Sequence, residues 1–203
     1  MNDIFLYLDE LFPNPKCELI FNNDFEFLIS VVLSAQTTDK KVNKVTSILF
    51  NKYDINRLIN AKTSDLEDIL KPLGMSYKKA IYIKNIAKDI KEKYNGKIPD
   101  DISELITLDG VGRKTANLVL SSIYDKPYFA VDTHVSRVTK RLGLVPNNYN
   151  TIQIEKEMYK IIPEPRINRT HHQFVLFGRY YCKSKNPMCD TCKLKNVCKK
   201  MDI

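Results

Sequence analysis

The sequence predicts an all-α protein, and three observations point that way. Apolar residues recur near the helical period, as in the stripe Ala80, Ile83, Ala87, Ile90 and the stripe Ala116, Val119, Leu120, Ile123. No stretch carries a convincing apolar–polar alternation of a half-buried strand. Glycine and proline fall between the periodic segments, at Pro72-Leu73-Gly74, Asn95-Gly96, Gly110-Val111-Gly112, Lys126-Pro127 and Pro163 to Pro165. Taken in order, a first helix is expected near residues 3–12. Residues 25–35 are apolar nearly all round, which suits a buried helix or a buried strand, and the helices on either side favour helix. Further helices are expected near 38–53, 63–70, around the Ala80 stripe, 101–107, around the Ala116 stripe, and at 133–142, 151–161 and 167–181. No long linker, repeat or low-complexity tract divides the chain.

A chain of 203 residues with 43% apolar content suits one large domain or two small ones with a real core. It has no apolar run near the length of a membrane span. Met1-Asn2-Asp3-Ile4 lacks the basic start of a secretory signal, so a reducing cytoplasm is expected. The balance of 32 basic and 24 acidic residues, +8 overall, points to a polyanionic partner. The charge is concentrated in residues 171–203, where Arg179, Lys183, Lys185, Lys193, Lys195, Lys199 and Lys200 face only Asp190 and Asp202.

Four of the five cysteines lie in that same tail, as Cys182-x6-Cys189-x2-Cys192-x5-Cys198. Disulfides are disfavoured, since the rest of the chain holds only Cys17. Zinc sites commonly pair two short Cys-x2-Cys hooks. Here one hook sits between two unequal spacers, which better suits four thiolates around one iron–sulfur cluster. Spacing favours the cluster and leaves zinc open.

Two helices meet at Leu108-Asp109-Gly110-Val111-Gly112-Arg113-Lys114-Thr115. The glycines allow a sharp turn, and the start of the second helix offers unpaired N–H groups and a positive dipole end, a site for a DNA phosphate. An ordinary helical corner has the same pattern. Lys114 lies roughly opposite the Ala116 stripe, so it is either a solvated surface charge or an amine held in a cleft beside Arg113. In the second case nearby positive charge favours the neutral amine, a nucleophile for a sugar carbon. Asp132 precedes a helical pattern and suits an N-cap. A capping carboxylate facing a cleft also moves protons during attack on C1′ and stabilises a cationic sugar.

Together these motifs resemble the endonuclease III family. Leu108–Thr115 is similar to the helix-hairpin-helix of DNA repair glycosylases, and Val131-Asp132-Thr133-His134 with Arg137 and the cysteine tail complete the family pattern. The likeness runs in order through Leu33-Ser34-Ala35-Gln36-Thr37-Thr38-Asp39, Gly143, His171-His172 and Gly178-Arg179-Tyr180, over almost the whole chain. It implies a two-lobed all-α fold with DNA in the groove between the lobes. A six-helix bundle is expected from about 17–126, with the hairpin at about 102–121. A second lobe joins 1–16 to 127–203 and carries a [4Fe-4S] cluster on Cys182, Cys189, Cys192 and Cys198, in a loop spanning 182–198.

The resemblance also implies the reaction. Oxidised pyrimidines are released from double-stranded DNA, and the abasic site is then cut on its 3′ side by β-elimination. Lys114 would attack C1′ and form a Schiff base, with Asp132 as the carboxylate of that site. The target nucleotide must leave the stack to be reached. Gln36 would fill the gap, Met75 would enter the opposite strand, and Gly110, Val111, Gly112, Arg113, Lys183 and Lys185 would meet DNA. A monomer at the nucleoid, needing no small cosubstrate but water, is implied too. Two positions depart from the family: Asp109 stands where the hairpin usually has proline, and Ser76 where an aromatic residue is common. Asp109 is expected to cap the next helix. His171, His172 and His134 read as structural, Cys17 as a plain small residue, and Tyr180-Tyr181 as packing beside the cluster.

Two other functions fit parts of the pattern. A monofunctional mismatch glycosylase of the same fold usually lacks the hairpin lysine, and its adenine-specific form has a further C-terminal domain, whereas this chain has Lys114 and runs only five residues past Cys198. A non-catalytic DNA-binding module stapled by metal would leave Lys114 and Asp132 as coincidences.

Overall fold

Side-chain caps set most of the helix starts. Asn23 accepts a hydrogen bond from the amide of Glu26, Asp54 from Arg57 and Asp132 from Val135, while Asn150 and Gln153 form a reciprocal capping box. The computed structural model describes residues 1–200, which contain no strand. Asp202 of the basic tail lies outside the described residues. The helices are α1 (Asn2–Leu11), α2 (Asp24–Leu33), α3 (Asp39–Lys52), α4 (Ile55–Asn60), α5 (Thr63–Leu70), α6 (Ser76–Glu92), α7 (Ile102–Leu105), α8 (Arg113–Tyr124), α9 (Thr133–Arg141), α10 (Thr151–Ile161) and α11 (Ile167–Tyr180). Short 3-10 turns at Lys71–Leu73 and Glu164–Arg166 fall on the Pro72 and Pro163–Pro165 punctuation. The described residues thus bear out the all-α expectation, including the helical reading of residues 25–35. One helix was not expected. α4 spans too few residues for a period to emerge, and its only sequence signal is the cap at Asp54.

The chain divides into two compact units. One comprises residues 18–124 and holds α2 to α8. In it α2 packs against α3, α6 and α8, which explains why its sequence is apolar nearly all round. Phe27, Leu28, Leu33, Leu49, Ile83 and Leu120 are fully buried there. The other unit joins Met1–Cys17 to the chain from Asp125 onward and holds α1, α9, α10, α11 and the cysteine tail. Leu8, Phe129, Val135, Ile154, Phe174 and Phe177 form its core, and Cys182, Cys192 and Cys198 pack against that core.

Asp9 ties the N-terminal helix into this second unit. Its carboxylate accepts from Arg166 (2.9 Å), Arg169 Nε (2.8 Å) and Gln173 Nε2 (2.9 Å). Burial alone would raise its pKa, but the bonds from Gln173, Arg166 and Arg169 outweigh burial and hold it below the usual value. Its stabilising contribution is thus present above the unfolded carboxylate range and lost as pH falls through the lowered folded pKa. Hydrogen bonds to a charged group of this kind stabilise by about 1.5–3 kcal/mol each.

Among the described residues no helix is long and apolar enough to cross a membrane.

Candidate functional site

The hairpin is built from α7, a turn and α8. Gly110 sits at φ +75°, the left-handed region, and a Cβ there would meet the Tyr82 ring at 2.6 Å and Val32 at 3.2 Å. Glycine is therefore required twice over, by conformation and by space. The Val111 side chain is buried and its amide donates to the carbonyl of Leu108 at 3.1 Å, which closes the turn. Gly112 is exposed with nothing near a Cβ, so its bare backbone faces outward just before α8 begins. Arg113 and Lys114 are exposed on the first turn of α8, the turn whose amides find no acceptor within a helix and which carries the positive end of its dipole. Asp109 does not cap α8 as expected. Its carboxylate accepts from Asn85 Nδ2 of α6 at 2.8 Å, which anchors the negative charge to a neighbouring helix.

Gln36 and Met75, the two residues expected to enter DNA, share an unusual backbone. Both are non-glycine residues in the left-handed region, at φ +58° and φ +50°, and both are exposed. Gln36 lies at the apex of the turn after α2, and Met75 is the N-cap position of α6, following Gly74 at φ +69°.

Asp132 belongs to the other unit. It is half-buried, and its Oδ1 accepts from the Val135 amide at 2.8 Å as the N-cap of α9. One turn on, Arg137 donates through Nε to the carbonyl of Cys182 (3.0 Å) and through a guanidinium N–H to that of Gly178 (2.6 Å). His134 Nδ1 lies 3.2 Å from the same guanidinium. Burial pushes the His134 pKa down, partly countered by the Asp132 charge. Arg141, at the end of α9, is buried and donates to the carbonyls of Lys183 (2.6 Å) and Ser184 (3.3 Å). One helix thus carries the capping carboxylate at its start and two arginines that hold the cysteine loop.

Cys182, Cys189, Cys192 and Cys198 line a single recess with about 410 Å³ of empty space, partly open to solvent, together with Leu142, Phe177 and Tyr181. Burial pushes the thiols of Cys182 and Cys192 up, and Arg141, 3.7 Å from the Cys182 sulfur, pulls the former back. Among the described residues no three such ligands converge closely enough to hold a single metal ion. Four soft thiols spread around one recess fit a polynuclear iron–sulfur centre, which takes one thiolate per iron corner. Lys183 and Lys185 are exposed on the loop between the first two cysteines. Tyr181 stacks on Phe177 at 5.9 Å as expected beside this recess, but Tyr180 is 45% exposed and does not join it.

Sequence reasoning missed three groups. Lys79 of α6 is a buried lysine, Arg141 a buried arginine, and Asn117, one turn past Lys114, is 1% exposed with neither amide atom hydrogen-bonded. Each sits on the inner side of an amphipathic helix, and a polar residue at an apolar period position was the only available signal.

The profile of the HhH-GPD superfamily of base excision DNA repair proteins matches residues 29–164. Endonuclease III of Bacillus subtilis (strain 168) is 41% identical over 95% of this chain and 88% of its own length. Among solved structures, a non-covalent endonuclease III–DNA complex matches with a TM-score of 0.93 and 44% identity, covering 98% of this chain and 95% of that one. A trapped endonuclease III–DNA covalent intermediate matches with a TM-score of 0.92 at the same identity and the same coverage. The fold is therefore that of the helix-hairpin-helix base excision repair glycosylases. Within that superfamily the chain belongs to the endonuclease III family, whose members are DNA glycosylases and abasic-site lyases.

Proposed function

We propose that this chain is a bifunctional N-glycosylase and abasic-site lyase that releases oxidised pyrimidines from double-stranded DNA. The observation that carries the reading is an exposed lysine, Lys114, on the first turn of the helix that follows a Gly-Val-Gly hairpin. The lobe of residues 17–126 supplies the hairpin, Lys114, Gln36 and Met75. The lobe of 1–16 and 127–203 supplies Asp132 and the cysteine loop.

In this scheme Gly110, Val111, Gly112 and Arg113 hold a phosphate at the start of α8, and Lys183 and Lys185 add charge to the backbone contact. Gln36 and Met75 fill the space left when the damaged nucleotide swings out. The Lys114 amine attacks C1′, forming a C–N bond as the glycosidic bond breaks and its electron pair leaves with the base, which takes up a proton. Asp132 stabilises the cationic sugar and accepts the proton released by the lysine nitrogen. Ring opening gives the Schiff base. Loss of a C2′ proton then expels the 3′ phosphate, and water hydrolyses the imine to free Lys114. An endonuclease III 44% identical to this chain has been captured as a covalent DNA intermediate, which supports the same chemistry here. The protein acts as a monomer at the cytoplasmic nucleoid.

Cys182, Cys189, Cys192 and Cys198 are the ligands of a [4Fe-4S] cluster, which when bound cross-links the tail and takes no part in base release. Metal analysis of the purified protein is expected to return about four irons per chain. Zinc in place of iron would overturn the assignment.

The reaction is tested with duplexes that each carry one lesion, scored separately for base release and strand cutting. Borohydride, which reduces an imine to a stable amine, should trap the protein on oxidised-pyrimidine and abasic duplexes. Base release without trapping would instead place the chain among monofunctional glycosylases.

A further inference from the structure

Lys79 is 2% exposed, on the first turn of α6. Its ammonium donates to the carbonyl of Ala35 at 3.0 Å and to the carbonyl of Leu73 at 3.0 Å. Ala35 immediately precedes Gln36, and Leu73 lies two residues before Met75. Both oxygens contact one nitrogen, so they lie within about 6 Å of each other. The two loops therefore share a single buried tie, and each loop places an exposed residue in the left-handed region.

This arrangement is costly. A left-handed conformation is strained for a non-glycine residue, because Cβ crowds the following carbonyl oxygen. Burial is the whole cause of the downward shift of the Lys79 pKa, with no carboxylate contributing. A buried cation held only by carbonyls is a poor way to stabilise a helix, and methionine would fill the same space without a charge to desolvate. Backbone strain and a buried charge at one point favour positional work over stability.

We propose that Lys79 is a positioning residue for strand insertion: by bridging the carbonyls of Ala35 and Leu73 it sets the spacing and conformation of Gln36 and Met75, so that both enter the duplex together. This rests on the reading of Gln36 and Met75 as the residues that fill the opened stack. Lys79 itself touches no DNA. A tie of this kind matters for a paired lesion, which must be extruded, and not for a single-stranded abasic site, which is already unstacked.

The test is a double-mutant cycle in the full-length protein. Lys79→Met is made in the wild-type background and in a Gln36→Ala, Met75→Ala background. Base release is measured on a duplex with one thymine glycol, and borohydride trapping on a single-stranded abasic oligonucleotide. Lys79→Met is expected to slow base release from the duplex about a hundredfold in the wild type, the scale of a small misplacement of active groups. It should add nothing in the double-alanine background, because the residues it positions are gone. Single-strand trapping should stay within about twofold of each parent.

Equal slowing in both backgrounds, an unchanged duplex rate, or an equal loss on the single strand would each overturn the proposal. An unchanged duplex rate in the Gln36→Ala, Met75→Ala protein would instead remove the reading of those two residues, and the proposal with it. Lys79→Gln, which keeps N–H donors on a shorter stem, carries the same cycle if Lys79→Met does not fold; it is expected to slow duplex release by less.

Discussion

Lys114→Ala is expected to give a folded protein that binds duplex DNA and forms no covalent adduct with it under borohydride. Lys114 is exposed, so its truncation removes no buried contact, and alanine is the best helix former. Thermal stability should stay within about 0.5 kcal/mol of the wild type. The hairpin glycines and Arg113 remain, so DNA affinity should fall only by the share of one phosphate contact, seen as a drop of about one in the salt slope. Chemistry is a different matter. If the amine is the group that attacks C1′, base release should fall by at least about a thousandfold, since losing a nucleophile removes a whole reaction path. Trapping that persists in Lys114→Ala would move the nucleophile to another amine. Lost trapping with unchanged base release would mean that water attacks C1′ and that the lysine serves only the later strand cut.

That lysine shows how much of the site the sequence could express. Local signals reached the hairpin, the capping carboxylate and the cysteine tail, because turns, caps and ligand spacing are written in adjacent residues. The same signals left Lys114 as a surface charge or a nucleophile, and only the accompanying motifs chose between them. What escaped the sequence is non-local. The reason Gly110 must be glycine includes the Tyr82 ring, a residue 28 positions earlier on α6. The partner of Asp109 beside the hairpin turn is Asn85 of α6, whose amide holds the carboxylate. Nothing local in the sequence sets Lys79 apart from the other lysines of α6. Its burial depends on two carbonyls from separate loops, and neither carbonyl has a sequence signature.

The cysteine quartet belongs between these cases. Its spacing argued for four thiolates around one centre, and the four do line one recess. Spacing was silent on Arg141, which reaches the same loop from the far end of the helix that Asp132 begins. Charge accounting alone assigned the tail's basic residues to a polyanionic partner. The arginine nearest a thiol comes from outside that tail.

Asp132→Asn separates the two roles of its carboxylate. Asparagine caps a helix as well as aspartate does, and its Oδ1 would keep the bond to the Val135 amide. α9 should therefore start at the same place, with Arg137 and Arg141 still on the cysteine loop. The melting temperature is expected to be unchanged in Asp132→Asn and lowered in Asp132→Ala, where the cap is worth about 1 kcal/mol. Binding to lesion-bearing duplex should be unimpaired, because the substitution removes a negative charge that a polyanion would repel. Turnover should nonetheless fall by about 10²- to 10⁴-fold, the usual share of a positioned acid–base group, since an amide neither accepts a proton nor stabilises a cationic sugar. A rate within a few-fold of wild type, with Asp132→Ala slowed only as far as its stability loss explains, would reduce Asp132 to a helix cap. The proton acceptor for Lys114 would then have to be sought elsewhere.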